Sequence, residues 1–117
     1  MQRCIILLTV TVFALCTGCK KSTANTAVVT PACDGIDSRF TAKVFPIIQN
    51  SCATSIGCHG NGSGNGPGAL INFVQISNAA TAIKNAVVSG VMPRGSTLSA
   101  QEKNTIVCWI NSGTPNN

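Results

Sequence analysis

Cysteines at 52 and 58, with a histidine directly behind the second at 59, put two nucleophilic sulfurs and one imidazole within eight residues of chain. In the common C-x-x-C-H arrangement, two thiols add to the vinyl groups of a haem and the adjacent imidazole ligates the iron from the face they fix. Here five residues, 53–57, separate the cysteines instead of two. The order cysteine, cysteine, immediate histidine is kept, and Gly57 with the small Ala53, Thr54 and Ser55 lets the added backbone loop outward.

An iron held on one face by an imidazole needs a partner on the other if it is to carry electrons. The chain offers few: His59 is its one histidine, and Met92 is its one methionine after the initiator. Met92 lies in Gly90-Val91-Met92-Pro93, a break between two expected helices, where Pro93 keeps it out of the helical region and stiffens the loop. A thioether opposite an imidazole favours reduced iron and raises the potential relative to two nitrogen ligands. The expected site is therefore Cys52 and Cys58 as covalent attachment points of one haem c, with His59 and Met92 as iron ligands.

The elements that must position these residues are helical. Phe40, Val44, Ile47 and Ile48 recur at helical spacing between 37 and 50, with Asp37 or Thr41 as caps. Pro46 either starts the regular helix or kinks it. A second helix is expected at 79–89, capped by Asn78, with Ile83, Val87 and Val88 on one side and Gly90 as its stop. The third carries a capping box, Ser99-Ala100-Gln101-Glu102, and an apolar stripe of Ile106, Trp109 and Ile110, ending at Gly113 and Pro115. Glycine at every second position over residues 60–68 (GNGSGNGPG) makes a surface loop beside the site. A phosphate-binding loop would end in Gly-Lys-Ser/Thr, whereas Ala69 and Leu70 follow here.

The N-terminus reads as an export signal. Arg3 precedes an apolar run over residues 4–16, too short to span a membrane, followed by Thr17-Gly18-Cys19 and then Lys20-Lys21. Cys16-Thr17-Gly18-Cys19 resembles a lipobox, with Cys16 where leucine is usual. Cleavage before Cys19 would leave that cysteine to carry lipid; an ordinary secretory signal cut nearby is the other reading. The expected divisions are a lipoprotein signal peptide at 1–18, a flexible tether of small polar residues at 19–32 and one domain at 33–117. The protein is then lipid-anchored to a bacterial membrane, facing the periplasm or the cell surface.

Export also makes each cysteine a question, because thiols outside the cytoplasm tend to oxidise. With Cys19 on lipid and Cys52 and Cys58 on haem, Cys33 and Cys108 remain as a natural disulfide pair. The mature chain is short of core, its aromatics being Phe40, Phe45, Phe73 and Trp109, and a domain of this size commonly needs a staple or cofactor. Its net charge of plus four is dispersed over Lys20, Lys21, Arg39, Lys43, Lys84, Arg94 and Lys103 against Asp34, Asp37 and Glu102. No basic stripe with interleaved aromatics marks a nucleic-acid site.

From residue 33 to 116 the chain resembles small c-type cytochrome domains whose haem motif is widened. The resemblance rests on Phe45-Pro46-Ile47-Ile48 leading into Cys52, then Cys58-His59, the glycine-rich loop, Gly90-Val91-Met92-Pro93, and a capped helix with Trp109-Ile110 and Gly113-Thr114-Pro115-Asn116. It implies a mostly α, cytochrome c-like domain of about three helices wrapped around one haem with long loops. It also implies electron transfer to redox partner proteins rather than enzymatic catalysis.

Three other readings use the same residues. A non-haem structural or binding lipoprotein would staple Cys33, Cys52, Cys58 and Cys108 into two disulfides, in one of three pairings. A haem peroxidase or oxidase subunit would ask for a distal acid or base, which one histidine and three carboxylates scarcely supply. Zinc on Cys52, Cys58 and His59 would need spacings unlike those of closed zinc sites.

Overall fold

The computed structural model describes residues 31–117; the expected signal peptide 1–18, Cys19 as the expected lipid carrier and nearly all of the expected tether 19–32 lie outside the described residues. The described chain is mostly helical and contains no strand. A π-helical turn, Phe40–Val44, runs straight into α1 (Phe45–Ser51); α2 (Phe73–Asn78), α3 (Ala80–Ser89) and α4 (Ala100–Asn111) follow.

Pro46 resolves the first helix into two pieces. It stands in the first turn of α1, where a missing N–H costs nothing. The turn ahead of it widens, with the Val44 N–H donating to Arg39 O, five residues back. The expected caps are corrected. The side chain of Asp37 pairs with Arg39 at 2.8 Å instead, and the Arg39 guanidinium holds the Asp37 carboxyl down to about 2. The free N–H groups of Phe40 and Thr41 donate, each at 2.8 Å, to the side-chain and backbone oxygens of Asn117.

Two further differences concern the middle of the chain. A helix not foreseen, α2, is capped by the Asn72 side chain, which accepts from Gln75 N–H. Asn78 then ends α2 rather than capping α3, whose N-cap is Ala79 without a side-chain bond. Gly90 stops α3 as expected, in the left-handed conformation (φ 75°).

The core joins the π-helical turn, α1 and α4. Phe40 sits at its centre, 5.0 Å from the Phe73 ring in an edge-on arrangement and 5.3 Å from Trp109. Ile48, Ile76, Val87, Ile106 and Trp109 are fully or almost fully buried around it. Trp109 Nε1 donates to Pro115 O at 2.9 Å, so the indole is both packed and satisfied. That bond turns the chain back after α4, with Thr114 at a φ of 53°, a region that β-branched residues rarely occupy. Cys33 and Cys108 are joined by a disulfide, fastening residue 33 to the buried side of α4.

The capping box of α4 is complete: Ser99 Oγ accepts from Glu102 N–H, and the Glu102 carboxylate accepts from Ser99 N–H at 2.8 Å. These bonds hold the Glu102 carboxyl below its ordinary value. A lowered folded pKa means that the contribution is present in full above the ordinary carboxylate range and is lost as pH falls through the folded value. Ser99→Ala is expected to cost about 1 kcal/mol at neutral pH. In denaturant melts, the gap between variant and wild type should shrink on acidification as Glu102 is protonated.

Candidate functional site

Cys52 closes α1, and its carbonyl accepts the His59 N–H at 2.9 Å. That one bond seals the base of the turn between the two residues. The five intervening residues go outward, tightened by Ser55 O, which accepts from Cys58 N–H at 3.0 Å and Gly60 N–H at 2.8 Å. Ile56, at the tip, is 67 % exposed.

Close packing of this turn depends on Gly60. A Cβ there would stand 2.7 Å from the backbone carbon and oxygen of Ser55, and no rotamer change relieves a backbone clash. Gly60→Ala is expected to cost about 1 to 3 kcal/mol, read as a lower urea midpoint at unchanged m-value.

Residues 60–68, which the sequence marks as a surface loop beside the site, also contribute Asn65, Gly66 and Pro67 to its lining. Gly60 and Ser63 are buried, and Ser63 Oγ donates to Cys58 O. The Asn65 side-chain amide donates to Gly57 O at 2.9 Å and more weakly to Cys58 O at 3.4 Å. Gly68 O lies 3.0 Å from His59 Nδ1. A carbonyl can only accept, so Nδ1 carries the proton and Nε2 is left with its lone pair. The imidazole is pinned from behind as well, His59 O accepting from Leu70 N–H at 2.8 Å, and it is only 6 % exposed.

His59 faces a cavity of about 760 Å³, within the range of roughly 300 to 1,000 Å³ usual for small-molecule and cofactor sites. One wall is the motif turn with Cys52, Cys58 and His59; another is α3, through Ile83, Ala86 and Val87; a third is the loop with Val91, Met92 and Pro93. Met92 is placed there by the Gly90 reversal and by its N–H, which donates to Ala86 O at 3.2 Å. All four residues singled out for the site thus line one largely apolar cavity. Arg94 is the one residue of fixed charge in its lining.

The two thiols are free and differ in kind. Cys52 is 8 % exposed, and burial, followed by the nearby Cys58 charge, pushes its thiol up to about 11. Cys58 is exposed, and the Thr54 and Ser55 hydroxyls lower its thiol. Cys58 is therefore the more nucleophilic sulfur of the two.

These residues fit a haem. The cavity has the size and apolar walls, two sulfurs stand on its surface, and the imidazole is held in the tautomer that leaves Nε2 free to ligate. No group of three or more His, Cys, Asp or Glu side chains able to hold a bare metal ion occurs among the described residues. A haem iron, held by one imidazole and one thioether, asks for no such group. No helix among those residues is long and apolar enough to cross a membrane.

Gly60, Ser63, Asn65 and Gly68 are the site residues that sequence reasoning passed over. The alternating glycines marked the stretch as irregular but carried no sign of which carbonyl would meet His59. No protein-family model, no characterised protein and no solved structure matches this chain.

Proposed function

We propose that this chain is a monohaem c-type cytochrome that transfers electrons, with its helices folded around one covalently held haem. The observation that carries the reading is the convergence of Cys52, Cys58, His59 and Met92 on one cavity, with His59 Nδ1 committed to Gly68 O. When bound, the haem supplies an iron that cycles between ferrous and ferric. Cys52 and Cys58 would hold the haem covalently, each thiol contributing its sulfur and its hydrogen to one vinyl group so that a thioether results. His59 would ligate the iron through Nε2, its ring orientation and tautomer fixed by the Nδ1–H bond to Gly68 O. Met92 would supply a thioether ligand, and the apolar α3 wall would keep water from the site.

In this reading the chain is an electron carrier without a catalytic residue of its own. It serves redox partner proteins from a membrane surface, held there by lipid on Cys19.

The test is maturation of the full chain in a host with a cytochrome c assembly system, followed by intact mass and the spectrum of the denatured protein. A mass increase of one haem and a thioether-type spectrum are expected; their absence overturns the proposal. Cys58→Ala and Cys52→Ala then count the thioethers, each variant keeping one bond if both cysteines react.

A further inference from the structure

The loop 60–68 contains the dipeptide Asn-Gly twice, at 61–62 and 65–66. Asparagine is a chemically labile residue, and a following glycine, without a side chain, leaves the peptide nitrogen unshielded. Both asparagines are exposed, and neither Gly62 N–H nor Gly66 N–H donates a hydrogen bond among the described residues. The two sites differ in what their side chains do. The Asn65 amide is tied to the carbonyls of Gly57 and Cys58, and the Asn65 N–H donates to Ser63 Oγ at 3.3 Å. The Asn61 amide makes no hydrogen bond among the described residues.

We infer that Asn61–Gly62 is a self-modification site at which the amide is lost, whereas Asn65–Gly66 is kept unreactive by its tie to the turn that presents Cys58 and His59. The reaction needs no oxidant or partner. The Gly62 backbone nitrogen, losing its proton, attacks Asn61 Cγ; an N–C bond forms, the Cγ–Nδ2 bond breaks and ammonia leaves. Water then opens the resulting five-membered imide to aspartate or isoaspartate, adding one negative charge. At Asn65 the same attack requires Cγ to swing towards Gly66 N, which breaks the 2.9 Å bond to Gly57 O.

The protection has a structural consequence. An aspartate at 65 would replace two donated hydrogen bonds with a carboxylate facing two carbonyl oxygens, beneath the turn that carries His59. At Asn61 the same change falls outside the cavity lining. This inference does not depend on the haem reading, since it concerns loop bonds within the protein alone.

The isolated full chain, its Cys33–Cys108 bridge intact, would be held at physiological temperature and neutral to mildly alkaline pH. Amide-to-acid conversion and isoaspartate would be measured at each asparagine by peptide mapping over time, beside a sample in denaturant. Asn61 is expected to convert about tenfold faster than Asn65 in the folded chain, and the two rates to agree within about twofold in denaturant. Equal rates in the folded chain overturn the inference, as does a folded chain in which Asn61 is as inert as Asn65. A rate difference that persists in denaturant assigns the effect to local sequence and also overturns it.

Discussion

Replacing both Cys33 and Cys108 by alanine is expected to lower the unfolding free energy of the domain by about 4 kcal/mol. The bridge spans 75 residues of sequence, so its removal returns to the unfolded chain most of the freedom that a crosslink can withhold. Domains of this size have little stability in reserve, and the transition should fall by roughly 20 °C. Differential scanning calorimetry of wild type and double variant checks this, as does wild type with added reductant, because Cys52 and Cys58 form no second disulfide. Cys33→Ala alone should lose nearly as much, for it leaves a thiol at buried Cys108. A loss below about 1 kcal/mol would mean that the unfolded chain is compact without the bridge.

The second large effect is expected at His59 and Met92, the two proposed iron ligands. His59→Ala should lower the yield of haem-loaded protein at least tenfold, since even partners one shell further out are commonly worth about 10- to 100-fold at metal sites. Met92→Ala should leave haem incorporation in place and convert the iron from low to high spin, read by absorption and electron paramagnetic resonance. The contrast between the two variants is the informative part. His59 is buried and bonded on both sides, through Nδ1 to Gly68 O and through its backbone to Cys52 and Leu70. Met92 is placed by one backbone bond, to Ala86 O, on a loop behind a glycine reversal. If Met92→Ala kept a low-spin iron, ligation by Met92 would be wrong while the rest of the site stood.

The parts of this molecule that could be read from residue order are those governed by near neighbours. The capping box of α4 needs only Ser99 and Glu102 three residues apart, and the Gly90 stop needs only a residue that tolerates a positive φ. The pairing of Cys33 with Cys108 followed from accounting for every cysteine rather than from any local pattern. Six-residue α2 was too short to show a helical period, although Asn72 and Gln75 stand at capping distance.

The interactions that were not legible join distant parts of the chain through groups every residue possesses. Asn117 receives the N–H groups of Phe40 and Thr41 across 77 and 76 residues. Nothing in the types of these residues announces it. The same holds for Gly68 O on His59 Nδ1: a backbone carbonyl sets the imidazole tautomer, and a glycine-rich stretch looks dispensable until its partner is known. At the site, side-chain identity was readable and the backbone that orients it was not.

The disulfide also determines how the protein bears force. A chain pulled on both sides of the bridge transmits tension through the Cys33–Cys108 bond, so residues 34–107 lie off the load path. That sheltered span holds the motif turn, the glycine-rich loop and the Met92 loop. Tension applied on either side of the bridge would therefore leave the cavity's dimensions unchanged.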